Sequence, residues 1–245
     1  GGWSAPGVGR ALYTSYEAWT LSWNDVPFSM SYMVFVTRVD DNAPVGNPIS
    51  AETTTCSLSV ARANYNKKLS YYVQAIAGDV RSEKSDLSQF QLFSAAKLSD
   101  ATNITETGFT ANFSASAVAE VAYKVVVLNE SGVEVFNQTT TETSIDVTGL
   151  TTNAAYTYTV TTICEGNEQI SAVSSIQLIS ASTILEATDI TSTGFTANFS
   201  ASAVAGVEYK IVVFDENEVE VFSQTTTETS IEVTNLKPET TYTYT

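Results

Sequence analysis

Almost every side chain here that could do chemistry is a carboxylate. The sequence carries 27 Asp and Glu against 11 Lys and Arg, two cysteines and no histidine. Without histidine there is no Ser-His-Asp or Cys-His relay, no imidazole ligand for zinc and no general base tuned near neutral pH. Cys56 and Cys164 are too few for a thiolate zinc site and fall in different repeats, so no bridge within a repeat is expected; Cys56, in an apparent strand, reads as a buried free thiol. What remains is oxygen chemistry: a carboxylate pair acting on a glycosidic bond, or oxygen ligands around calcium. Asp215-Glu-Asn-Glu218 and Val39-Asp-Asp-Asn42 are the two acidic clusters. Neither has the spaced ligands and central glycine of a calcium loop, so both read as solvated hairpin tips. No glycine-rich phosphate loop sits between a strand and a helix. The expectation is therefore no enzyme, no cofactor, and no catalytic, cofactor-binding or metal-binding residue. No ligand-binding residue is singled out.

Carboxylate catalysis would also need a deep cleft, and the elements that would have to build one follow from a repeat. Thr107-Gly-Phe-Thr-Ala-Asn-Phe-Ser-Ala-Ser-Ala-Val-Ala119 recurs, residue for residue, from Thr193 to Ala205. The offset is 86 residues, the difference between Phe195 and Phe109. It also carries Ala101 onto Ala187, Leu150 onto Leu236 and Tyr156 onto Tyr242, and about 70% of positions 101–159 are identical at this spacing. Ser88-Gln-Phe-Gln-Leu-Phe-Ser94 aligns with Ser174-Ser-Ile-Gln-Leu-Ile-Ser180. Three copies result: a divergent first over 1–97, a second over 98–182 and a third over 183–245. A unit of this length is a whole small domain rather than a solenoid repeat.

Inside each copy the dominant period is two. Phe109, Ala111 and Phe113 share one face, and Thr110, Asn112 and Ser114 the other; Tyr123, Val125 and Val127 alternate likewise. Asn129-Glu-Ser-Gly132 reads as a hairpin turn. With Val133–Phe136, Ser144–Val147, Tyr156–Val160, Ser174–Leu178 and a short strand near Thr102–Thr105, seven strands are expected. Nothing repeats at 3.6. The fold class is all-β: tandem seven-stranded immunoglobulin-like β-sandwiches, the third incomplete because the sequence stops inside its sixth strand. Gly108 and Gly194 are expected to let the chain bend into the strand that follows. Trp19, Leu21 and Trp23 alternate onto one face and read as core, whereas Trp3 lies outside the strands, placed to cap the first copy or touch whatever precedes it.

Leu236-Lys-Pro-Glu-Thr-Thr-Tyr242 resembles the Leu-x-Pro-x-Thr-x-Tyr stretch ahead of the sixth strand of fibronectin type III domains. In that family the tyrosine makes a corner, its hydroxyl bonding upstream backbone. The second copy keeps Leu150 and Tyr156 with Thr152 in place of the proline; in the first copy, a one-residue slip seats Tyr71 at the corner. The family's inward tryptophan of the second strand matches Trp23, replaced by Phe113 and Phe199 later. Its third-strand tyrosine matches Tyr123 and Tyr209, with Tyr32 or Phe35 filling that seat in the first copy. The low charge and Thr-rich strands are similar to those of bacterial surface and secreted multidomain proteins.

That resemblance implies a non-catalytic extracellular structural array: a stalk, surface fibre or adhesin segment. The alternative is an accessory or spacer region of a secreted polysaccharide-degrading enzyme whose catalytic domain lies elsewhere. The first copy balances eight acidic against eight basic residues, the second nine against one and the third ten against two. Such acidity disfavours nucleic acid and anionic membrane surfaces as partners. No window approaches eighteen apolar residues, so no membrane insertion is expected. Expected partners are neighbouring domains or subunits of a surface assembly, with glycans and host or matrix proteins beside them; the location is extracellular or cell-surface. The short junctions Ser94–Asp100 and Ser180–Glu186 lack glycine and proline, which predicts limited bending. The polypeptide is expected to continue past Thr245, with donation of the seventh strand by a neighbouring subunit as the alternative. Five Asn-x-Ser/Thr sequons, at Asn103, Asn112, Asn129, Asn137 and Asn198, are expected by chance in so Thr-rich a chain. Thr139–Thr143 and Thr225–Thr229 read as polar connections, with O-glycan attachment as the sharper alternative.

Overall fold

The alternating pattern produces strands throughout. A computed structural model describes residues 4–15 and 18–245, so Trp3 lies outside the described residues. The first copy contains β1 (Leu12–Ser15), β2 (Ala18–Ser22), β3 (Ser31–Arg38), β4 (Ile49–Ala51), β5 (Thr55–Ser59), β6 (Lys68–Ala77), β7 (Val80–Arg81) and β8 (Ser88–Gln91). One sheet runs β1-β2-β5. The other runs β4-β3-β6, with β7 and β8 both pairing β6 on its far side, and every pairing is antiparallel. The inward faces pack Trp19, Leu21, Trp23, Val34, Val73 and Phe90 into one core. Both tryptophans are thus core residues, Trp19 against Phe90 and Trp23 against Tyr32.

The second copy repeats the plan with β9 (Leu98–Thr105), β10 (Gly108–Phe113), β11 (Ala122–Asn129), β12 (Glu134–Thr140), β13 (Ser144–Val147), β14 (Ala155–Cys164), β15 (Asn167–Ile170) and β16 (Ser174–Gln177). Its sheets are β13-β10-β9 and β12-β11-β14, with β15 and β16 on β14. Phe109, Ala111, Phe113, Tyr123, Val125 and Val127 all point inward, as their spacing requires. The third copy has β17 (Phe195–Asn198), β18 (Tyr209–Phe214), β19 (Glu220–Thr226), β20 (Ser230–Val233) and β21 (Thr243–Tyr244) around a smaller core that includes Phe199, Val213 and Val233. Its first strand is reduced to two bridges, Ile184 to Phe199 and Thr188 to Thr196. Where Ile176 and Leu178 flank β14 in the second copy, the third shows an open groove of about 410 Å³ beside β21, lined by Phe195, Leu236, Tyr242 and Tyr244.

Four local readings are corrected. The strand placed near Thr102–Thr105 begins at Leu98 and follows the whole length of β10. The last strand is split: Ser171 donates its N–H to the Val160 carbonyl while its hydroxyl accepts from the Val160 N–H, so one serine replaces a rung of backbone pairing between β15 and β16. Ser85 does the same opposite Val73. Gly108 and Gly194 do not have positive φ; their role is close approach, because a Cβ there would strike the carbonyl oxygens of Val147 and Val233. Tyr71 is not a corner tyrosine. Val34 pairs with Val73 as Val125 pairs with Val160, which sets Tyr71 level with Tyr158 and puts Leu69 at the corner position. The Tyr71 hydroxyl instead donates to the carbonyls of Gly9 (2.6 Å) and Ser22 (3.0 Å).

Candidate functional site

The acidic clusters are turn chemistry. In Asp215–Glu218 the Asp215 carboxylate accepts the backbone N–H groups of Asn217 (2.9 Å) and Val219 (3.0 Å). In the second copy neutral Asn129 does the same for Ser131 and Val133, both at 3.0 Å. An amide oxygen serves equally, so the carboxylate is there as a hydrogen-bond acceptor and not for its charge. In Val39–Asn42, Asp41 takes a two-pronged bond from the Arg38 guanidinium (3.0 and 2.6 Å) and an N–H from Ala43. The Arg38 bond, then that N–H, hold its carboxyl well below the usual carboxylate range. Asp40 pairs with Lys67 at 2.9 Å. Among the described residues no three metal-ligating side chains come together.

The sequons at Asn112 and Asn198 lie in strands, and their amides are occupied. Asn112 Nδ2 donates to the Asp100 carbonyl and the Thr102 hydroxyl, stitching β10 to β9. Asn198 repeats this with Glu186 and Thr188. One hydroxyl in each of the Thr-rich connections is likewise engaged, Thr140 and Thr226 accepting the N–H groups of Glu142 and Glu228. The third-strand seat in the first copy belongs to Tyr32: its hydroxyl accepts the Val26 N–H as Tyr123 accepts that of Ser116 and Tyr209 that of Ser202. Phe35 points outward and stacks on Tyr72 at 4.7 Å, with Lys84 Nζ over the Tyr72 ring. These rings already have partners, so the patch gives no support to sugar stacking.

What the structure brings together unannounced by the sequence is a seam between the first two copies. β14 and β15 are joined by Glu165-Gly166, both at positive φ (48° and 77°), a tight two-residue hairpin turn. This tip inserts under the end of the first copy. The Arg10 guanidinium donates to the Glu165 carbonyl. The Glu165 carboxylate accepts from Lys68 Nζ (2.9 Å) and from the Gln91 N–H (3.1 Å). That bond to Glu165, with the attraction between the charges, raises the Lys68 pKa. Cys164, only 4% exposed, belongs to the first copy's core, and Val118 and Val121 pack against the same cluster. Burial pushes its thiol pKa up, which makes it a poor nucleophile. Gln169 Nε2 donates to the Phe93 carbonyl, and the Ala96 N–H donates to Thr162 Oγ1 at 3.0 Å, pinning the junction itself. A side chain on residue 166 would meet the Arg10 guanidinium, so glycine serves both the turn and the contact. Glu-Gly between two apolar-alternating runs was a legible hairpin signal; that it docks on another domain was not.

The corner tyrosines are present in both later copies. The Tyr156 hydroxyl accepts the Thr151 N–H at 2.8 Å, and that of Tyr242 accepts the Lys237 N–H at 2.9 Å. No family model matches the chain, and no curated protein does. Among solved structures, the FN1–FN3 domains of chicken CNTN1 are 15% identical with a TM-score of 0.37, over 100% of this chain and 92% of that one. A two-domain fibronectin type III segment of chicken tenascin is 12% identical with a TM-score of 0.35, over 72% of this chain and 99% of that one. Neither likeness speaks to function. Three-stranded sheets facing sheets built on β3-β6 and β11-β14, together with the two tyrosine corners, make this chain a tandem of fibronectin type III-like β-sandwiches.

Proposed function

We propose that the chain is a non-catalytic structural array, an extracellular stalk, fibre or adhesin segment whose work is to hold its ends apart. The observation that carries this reading is the seam: the Glu165-Gly166 hairpin and Cys164 of the second copy are built into the end of the first. A flexible tether would leave that apolar pole wet. Here the contact resists bending and the junction has no slack. The interiors of the first two sandwiches are filled by aromatic and aliphatic side chains, which leaves the strands' polar faces and loops for contact with neighbouring domains or subunits. The surplus of acidic residues in the second and third copies keeps such arrays from adhering to one another sideways.

Backbone ¹⁵N relaxation tests the array directly. The first and second copies should report one shared rotational correlation time, longer than a free domain of about 90 residues allows. Two independent short correlation times would refute the reading. Labelling of intact source cells with an antibody to the first copy tests the surface location; labelling only after lysis would refute that part.

A further inference from the structure

The pole by which the second copy docks has a counterpart on the first copy, and there it is bare. Register fixes the equivalence. Ala77 pairs with Val80 as Cys164 pairs with Asn167, and Met30, which donates its N–H to the Ile76 carbonyl, stands two residues before Tyr32 as Val121 stands two before Tyr123. In the second copy Cys164 and Asn167 are buried and Val121 packs on the first copy's core. In the third, Val207 occupies the same seat and lines a cleft with Ile179 and Ser180 from the end of the second copy. In the first copy the row is more apolar yet open: Met30 is 73% exposed, Val80 60%, and Phe28 beside them 88%, held at a φ of 67°. The chain enters every copy at this pole. Gly7, Lys97 and Thr183 each offer their carbonyl to the residue after the second strand's inward aromatic: Asn24, Ser114 and Ser200. The hairpin tip here is Gly78-Asp79, the reverse order of Glu165-Gly166: register sets Asp79 at the place of Gly166, the position whose side chain would meet the Arg10 guanidinium, so the turn again brings one carboxylate to the cationic rim.

We propose that Phe28, Met30, Ala77 and Val80 form a docking surface for the end of another β-sandwich domain, one of the kind the first copy presents to the second. That end has an apolar floor near Phe93 and a cationic rim matching Arg10 and Lys68, which meets Asp79. The inference rests on the array reading, since it takes the seam between the first two copies as the pattern.

The test duplicates residues 4–96 ahead of Gly7 of the full chain, which reproduces the native spacing between copies. Ala77→Cys, patterned on the thiol that nature places at 164, is introduced in the original and the extended chain, and maleimide labelling is followed by peptide mass spectrometry. In the original chain the thiol at 77 should react freely. In the extended chain it should react at least tenfold more slowly, close to the rate of Cys164, and Asp79→Lys should restore at least threefold of that loss. Equal rates at 77 in the two chains overturn the proposal. So does protection in the original chain, whether independent of concentration (cover by its own first residues) or rising with it (cover by a second copy). Cys164 is the internal control. If it labels as fast as an open thiol, the array reading itself fails; if it stays protected while 77 does not, only the docking surface is lost.

Discussion

Glu165→Ala should destabilise a domain in which it does not reside. The residue belongs to the second copy, but its carboxylate binds Lys68 and the Gln91 N–H of the first. The ion pair is about two-fifths exposed on each side, so it contributes only about 0–1 kcal/mol. The bond from a backbone N–H to a charged acceptor adds about 1 kcal/mol, taken low because the site is wet. The Arg10 contact goes to the Glu165 backbone carbonyl and survives the substitution. The expected loss at the seam is therefore about 1–2 kcal/mol. All three tryptophans, Trp3, Trp19 and Trp23, lie in the first copy, so tryptophan fluorescence follows its unfolding alone. At about 4–8 °C per kcal/mol for a domain of this size, the fluorescence midpoint should fall by several degrees. Lys68→Ala combined with Glu165→Ala should show a coupling of roughly 0.2–1 kcal/mol that shrinks in 1 M salt, where the screening length is about 3 Å. A tryptophan transition that stays in place when Glu165 is removed would refute the claim that the seam joins the two copies energetically.

Gly108→Ala should cost more than Gly132→Ala in urea unfolding: the first drives a Cβ into the Val147 carbonyl, for about 2–3 kcal/mol, while the second faces open space and pays only for positive φ, about 1 kcal/mol. Tyr156→Phe should lower second-copy stability by about 1 kcal/mol, because the Thr151 N–H loses its acceptor; hydrogen exchange at that amide should quicken. Stability should also decline above about pH 10. Burial raises the Tyr71 pKa, and the bond to Glu165 raises that of Lys68, so the folded chain holds both protons more tightly than the unfolded chain does. Stability from each is full below the ordinary value and is lost as pH climbs through the raised one. Denaturant midpoints between pH 8 and 11.5 check this, and Tyr71→Phe should flatten the fall.

Side-chain parity and repetition already settled the class of fold. Phe109, Ala111 and Phe113 had to face one way because a strand has period two, and an 86-residue repeat of such strands can only be a domain that closes on itself. The corner tyrosines at 156 and 242 were legible for the same reason, since each bonds backbone only five residues upstream. The first copy's corner was not: Leu69 stands there, and Tyr71 bonds carbonyls 49 and 62 residues distant, a partnership no local pattern encodes. Asn112 looked like a sequon and is a stitch between strands, visible only once β9 lies beside β10. The seam is the extreme case. Cys164 and Glu165 read as the end of a strand and a turn in their own copy, and they become core and clasp only because the chain returns that tip to residues 74 to 155 positions earlier. Periodicity reports which side of a strand is apolar; what that side or that tip meets depends on how whole domains are stacked, and only the tertiary structure holds that information.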